Sequence, residues 1–313
     1  VMLGDEHIDG GWMTVQPTVI ERRSFVGNGA YVPDGTTVPE NVLIGVLSSV
    51  PRNASMQSGD TWLGAPPLRL PAREVVAGFA EHLTFAPSPW RKAARGAVEA
   101  FRIAVPHALV IAVGYAIVLD AMPLAEDGRW GAVALDLAVG GVLYGMSAFG
   151  FVLLFKWLAV RRYGQRAVPM WTPFVWLSEA ATNLYEGVAV PWFLRYLRGT
   201  PWLNDALKLL GADIGRGVYL DTTDITEFDC VHIGENSELN AGCCPQTHLF
   251  EDRVMKIDHV RIGSQVTLGP RCTVLYGAQV GDGAQLRPLT LVMKGEAIPA
   301  GTRWHGLPAA PWR

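Results

Sequence analysis

The stretch Gln246–Lys256, QTHLFEDRVMK, places one imidazole, two carboxylates and two cations within a short span. A second acidic stretch, TEFDCVH, precedes it and carries Glu227 and Asp229. A carboxylate that accepts a hydrogen bond from one imidazole nitrogen fixes the tautomer and leaves the other nitrogen the better base. Such a pair can take the proton from an attacking amine or hydroxyl. His248 with Asp229 is the expected pair, and Glu227, Gln246, Glu251 and Asp252 are the expected polar contacts to substrate. The bland reading of Glu251, Asp252, Arg253 and Lys256 is a solvated ion-pair loop. Cys243 and Cys244 lie near His248; small thiols filling a tight corner explain them better than a nucleophile does. His232, His248 and His259 match no zinc-ligand spacing, so no metal is expected.

What would bring Asp229 to His248 is a repeat of six. One phase near the N-terminus reads Met2, Ile8, Thr14, Ile20, Val26, Val32, Val38, Ile44, and a second run reads Ile262, Leu268, Val274, Val280, Leu286, Val292, Ile298. Gly or Pro follows most of the later members. Period six fits a parallel β-helix in which each hexad forms one wall of a triangular coil, apolar residue inward, Gly or Pro at the corner. Ile214 and Leu220 share the second phase, whereas Ile233 and Leu239 are one residue out, which implies a one-residue insertion near 228–231. Counting hexads then gives Asp229 and His248 equivalent places in successive coils, one coil plus the insertion apart, with Glu227 over Gln246. Both runs end in W-x-G-x-P, in TWLGAPP and RWHGLPA, as two copies of one unit would.

Between the runs, Phe101–Met122 and Gly131–Phe155 are apolar enough and long enough to cross a bilayer. Arg91, Lys92, Arg95 and Arg102 precede the first, and Lys156, Arg161, Arg162 and Arg166 follow the second, so both ends are expected on the cytoplasmic side. Trp171–Leu197, aromatic but carrying Glu179 and Glu186, reads as an interfacial or re-entrant helix. His107 and Asp136 are polar residues within the spans. The expected fold is mainly β with membrane α: two hexapeptide β-helix units flanking a two-helix transmembrane hairpin. The divisions are 1–72 for the C-terminal part of the first unit, 73–100 for a cytoplasmic linker and 101–160 for the hairpin. Juxtamembrane helices follow over 161–211, and the second unit over 212–313.

Only 18% of the 313 residues are charged and half are hydrophobic, and the mean hydropathy is +0.20. These values suit a chain partly in lipid. A net charge of -3 gives no support for nucleic-acid binding. Four cysteines without CxxC spacing read as free thiols. The chain opens inside a repeat, so it is expected to be part of a longer polypeptide.

TEFDCVHIG, QTHLFEDRVMK, LVMKGEAIPAGTRWHGLPA and RRSFVGNGAYVPDGTTVPENVLIGVLSS resemble one family: the C-terminal membrane and tandem soluble-domain region of ε-poly-L-lysine synthase-like nonribosomal peptide synthetases. More distantly, MKGEAIPAGTRWHGLPA is similar to the last coil of CoA-dependent hexapeptide acyltransferases. The resemblance implies left-handed coils and amide-forming acyl transfer. The donor would be an amino acid held as a thioester on the phosphopantetheine arm of a carrier domain, or on CoA, and the acceptor an amino-acid or peptide amine. It implies no cofactor bound covalently in this chain, and adenylation and carrier domains of the same polypeptide as partners. A phospholipid membrane (the cell inner membrane, multi-pass, soluble parts cytoplasmic) completes the expectation, which also allows a homo-oligomer. Lys294, Trp304, Gly306 and Pro308 in the last coil are expected at a pantetheine site or an end cap. Two rivals stand beside this: a CoA-dependent membrane acyltransferase, and a non-catalytic scaffold that tethers the other domains.

Overall fold

The computed structural model describes residues 1–50, 55–70 and 78–312. Residues 51–54 and 71–72 of the expected first unit, 73–77 of the expected linker and 313 of the expected second unit lie outside these.

The second unit is a parallel β-helix whose walls follow the predicted phase. One wall stacks Ile214 on Ile233, Ile262, Val280 and Ile298; the next stacks Leu220 on Leu239, Leu268, Leu286 and Trp304; the third stacks Pro245 on Val274 and Val292. The Ile, Leu and Val members of these stacks are buried, and each contributes about 1.5–3 kcal/mol relative to an exposed side chain. Some corners leave no room for a side chain: a Cβ on Gly234 would lie 2.5 Å from the carbonyl carbon of Gly263.

One coil is long. Ser264 and Asp282 meet across an ordinary coil with a sequence separation of 18. Ser237 and Val266 meet across the coil before it with a separation of 29. The surplus chain forms an antiparallel hairpin, strands His248–Glu251 and Val254–Ile257, thrown out of the prism. Arg166–Pro169 pairs with its second strand. The polar interruption in the hexads is therefore a projecting three-stranded sheet.

The first unit repeats this design. Val19–Ile20 stacks on Thr37–Val38, and Phe25–Val26 on Leu43–Ile44 and then Thr61–Trp62. Leu3 stacks on Val32 across another long coil, and the residues between carry a hairpin of His7–Asp9 with Trp12–Thr14. Ile8 and Thr14 thus belong to an exposed hairpin, and Leu3 rather than Met2 holds the stacking place. Short runs of alternating residues mimic the hexad phase there. One constant offset in numbering relates the copies: Leu3 to Pro245, Val32 to Val274, Trp62 to Trp304.

Helix α1, Pro89–Glu126, starts well before the apolar stretch at Phe101. Ser88 caps it, and within the cationic stretch Glu99 pairs with both Arg95, at 3.3 Å, and Arg102, at 2.5 Å. Helix α2, Trp130–Phe155, continues as a π-helical turn over Lys156–Val160. Both are long and apolar enough to cross a membrane; only 6% of the most apolar window of α1 and 28% of that of α2 are buried. The segment expected at an interface buries one face against the rest of the protein and leaves Trp192 and Tyr196 exposed. Helix α3, Pro173–Leu184, runs into a π-helical turn, Tyr185–Ala189, then a short α4, Val190–Trp192. With α5, Pro201–Leu210, they form one apolar cluster that joins Phe149 and Val152 of α2 to the interior of the second β-helix.

The two units touch side by side. Val46 packs with Leu249, Leu275 and Leu291, and the main-chain N–H of Ala65 donates to the carbonyl of Leu307 at 3.2 Å.

Candidate active site

Period-two alternation divides the hairpin into two faces. His248, Phe250 and Met255 point toward α3, where they line a cavity of about 220 Å³ with Arg102, Glu179 and Glu186. Leu249 and Glu251 point the other way, toward the first unit.

His248 Nδ1 lies 2.7 Å from Oε2 of Glu227. The same oxygen accepts from the hydroxyls of Thr247 at 2.6 Å and Thr226 at 2.9 Å. Glu227 is 1% exposed, and its other oxygen, Oε1, is buried with no partner among the described residues. The glutamate sits at φ +42° just before a 3-10 turn, Phe228–Cys230. For a residue with a long side chain that backbone is costly, and such strain concentrates at functional positions. The ring edge of Phe250 meets His248, with centroids 5.6 Å apart.

The expected partner Asp229 is elsewhere. It accepts from Lys156 Nζ at 2.8 Å and from the N–H of Tyr163 at 3.1 Å. The physical reason is the shape of the wall over 221–230, which is loop and 3-10 turn rather than strand. There the Thr247 hydroxyl oxygen also lies 3.1 Å from the carbonyl oxygen of Thr226, so places with a sequence separation of 21 face each other. Glu227 takes the place that the hexad count gives to Asp229. Gln246 holds the hairpin base, its Nε2 donating to the carbonyl of His248 at 2.9 Å. Glu251, expected at substrate, is on the opposite face, neutralised by Lys256 at 2.7 Å and Lys294 at 3.1 Å. Asp252 is at the hairpin tip and lines a different cavity. Lys294 lines the apolar cleft between the units. Trp304, whose Nε1 donates to Thr302, Gly306 and Pro308 form the cap of the last coil.

Charge is set by this packing. Burial alone would raise the Glu227 carboxyl, but the His248 ring and the two threonine hydroxyls more than offset it and hold the group below the ordinary glutamate range. Burial would lower His248; the Glu227 charge and hydrogen bond, helped by Glu179 and Glu186, override it and raise the ring above the ordinary imidazole range. Burial raises the carboxyls of Glu179 and Glu186, the latter further through Asp224 and Glu227. Burial first, then Asp224, Glu227 and Glu186, push the Cys244 thiol up to about 12, which leaves it a poor nucleophile.

Comparison with known proteins follows the same lines. The profile of the hexapeptide repeat of succinyl-transferase matches residues 17–46 and 259–287, one run in each unit. The chain is 55% identical over 314 residues to the Delta-poly-L-ornithine synthetase of Acinetobacter baumannii (strain AB307-0294). The likeness covers the whole chain. It covers 23% of that synthetase, so the chain spans about a quarter of the length of the curated relative. The resemblance to a poly-amino-acid synthetase region read from the motifs holds. Among solved structures, a hexapeptide-repeat acetyltransferase of Vibrio cholerae aligns at 14% identity, covering 36% of this chain and 79% of that one, with a TM-score of 0.31. A serine acetyltransferase of Brucella abortus strain S19 aligns at 14% identity, covering 64% of this chain and 96% of that one, with a TM-score of 0.30.

Arg102, Glu179, Glu186, Phe250 and Met255 line the cavity but escaped the sequence reading as site members. A signal existed for the acids. Glu179, Asn183 and Glu186 follow one another at steps of four and three in an apolar segment, the spacing of one helix face.

Proposed function

We propose that the His248–Glu227 pair is the general base of an acyl transfer that joins a thioester-bound aminoacyl group to an amine, within a membrane-bound poly-amino-acid synthetase. The observation that carries this reading is the 2.7 Å contact between Nδ1 and a buried carboxylate at the wall of a cavity. Glu227 accepts from Nδ1–H, which leaves the Nε2 lone pair as proton acceptor. The acceptor enters as the free amine, having released one proton to solvent. Its nitrogen attacks the thioester carbonyl and a C–N bond forms. His248 Nε2 takes the remaining ammonium proton; as the tetrahedral intermediate collapses, the C–S bond breaks and the proton passes to the departing sulfur. The products are an amide and a thiol.

Glu227 Oε1, buried and without a partner among the described residues, would accept from an N–H of the acceptor and so align the amine beside Nε2. Glu179 on the opposite wall is paired with Arg95 at 2.8 Å; Glu186 on the same wall favours a cationic acceptor, which agrees with the polymer named in the relative. The donor would arrive on a phosphopantetheine arm from a carrier that an adenylation domain has loaded; CoA offers the same arm. The exposed apolar faces of α1 and α2 suit lipid, with the cationic flanks and both β-helix units on the cytoplasmic side of the inner membrane.

Substitution decides between a catalyst and a scaffold. In the full-length membrane protein carrying this chain, His248→Ala should lower amide formation by about 10²–10⁴-fold. Product formation at the unsubstituted rate would leave only a tethering role.

A further inference from the structure

The hairpin that begins with His248 ends at Asp252–Arg253, a two-residue turn with φ values of +50° and +62°. Such a turn favours Asn or Gly, and the equivalent turn of the first unit is Gly10–Gly11, at +54° and +84°. An arginine held in the left-handed region costs about 1–2 kcal/mol, so Arg253 occupies a place that its own fold would give to glycine.

Arg253 is exposed, and its guanidinium stands 5.9 Å from the centre of the Phe85 ring; Arg23, from a corner of the first unit, stands over the same ring at 4.9 Å. Both arginines line a cavity of about 280 Å³ between the units. Its wall includes Phe250, whose ring also lines the His248 cavity. Among the described residues two carboxylates are near: Asp252 on the wall, and Glu81, which pairs with Arg23 at 3.2 Å with both side chains mostly exposed. An exposed pair of this kind contributes little, and a phosphate oxygen competes well for a guanidinium fork.

We propose that Arg23 and Arg253 bind the phosphate of the pantetheine arm at the mouth of this cavity. The arm then passes Phe250 to bring its thioester to His248. Arg253 follows His248 by five residues, a span of at most roughly 16 Å at about 3.3 Å per residue, which an extended phosphopantetheine arm bridges. On this view the first β-helix unit supplies half of the donor site. The inference rests on the acyl-transfer reading and adds the location and chemistry of donor recognition.

The test compares two small donors, the aminoacyl thioesters of phosphopantetheine and of pantetheine, with the full-length detergent-extracted protein. The phosphorylated donor should half-saturate at a concentration lower by about tenfold or more, the factor expected for a charge-assisted contact. In Arg23→Ala/Arg253→Ala that ratio should collapse toward one, and Arg253→Lys alone should keep part of it. An unchanged ratio in the double variant, or no preference in the unsubstituted protein, overturns the proposal. If neither donor supports transfer that depends on His248, the acyl-transfer reading falls, and this site with it.

Discussion

Lys156 Nζ stands 2.8 Å from Asp229 Oδ2, and the lysine side chain is 1% exposed. The pair ties the end of α2 to the turn that follows Glu227, and Asp229 does not touch His248. Removing either partner strands a charge in a dry setting and should cost about 3–5 kcal/mol. Lys156→Met with Asp229→Asn should cost less than either single change. Denaturation midpoints in detergent check this, and additive losses would refute the coupling.

The pH dependence of transfer should carry the signature of the Glu227 contact. A base works only when unprotonated, and His248 is raised above the ordinary imidazole range, first through the Glu227 charge acting against burial. Transfer should therefore fall as pH drops through a value above that range. Glu227→Gln removes the charge, so the acid limb should move to lower pH while the maximal rate falls. A limb that stays in place would show that another group titrates.

Cys244, with its thiol pushed up to about 12, should be dispensable. Cys244→Ser should keep transfer within about threefold, and alkylation at neutral pH should be slow because little thiolate exists. A loss comparable to that of His248→Ala would make the thiol a participant.

Arg253→Gly should raise stability by up to about 1 kcal/mol, since glycine relieves the left-handed backbone. The melting temperature measures it. A lower value would mean that the contact with Phe85 outweighs the strain.

Gly64 is at φ +88°, and a Cβ there would lie 2.5 Å from the carbonyl oxygen of Leu307. Gly64→Val should therefore push the caps of the two units apart. Faster proteolysis between the units, with the second unit still folded, is the expected outcome.

Much of this architecture was legible. The hexad phase gave the stacks of Leu220, Leu239, Leu268 and Leu286, and the single extra residue before Ile233, because an inward apolar side chain leaves a strict period. The partner of His248 was not legible to the same count. Periodicity reports walls that are strands, and the wall carrying Glu227 is a loop and 3-10 turn whose offset is fixed by Thr226 and Thr247. Ile8 and Thr14 misled for the converse reason: a hairpin's alternation can fall in step with a period of six. Glu179 and Glu186 were visible as acids in an apolar segment, but only tertiary packing turns that face toward His248.

The offset that carries Leu3 onto Pro245 sets Glu6 at the place of His248. One copy thus carries the imidazole at this place and the other a carboxyl, with the two units packed side by side. Joined in one polypeptide, the two halves meet at a fixed effective concentration. Dilution does not part them, and each was free to diverge without an identical partner having to tolerate the change.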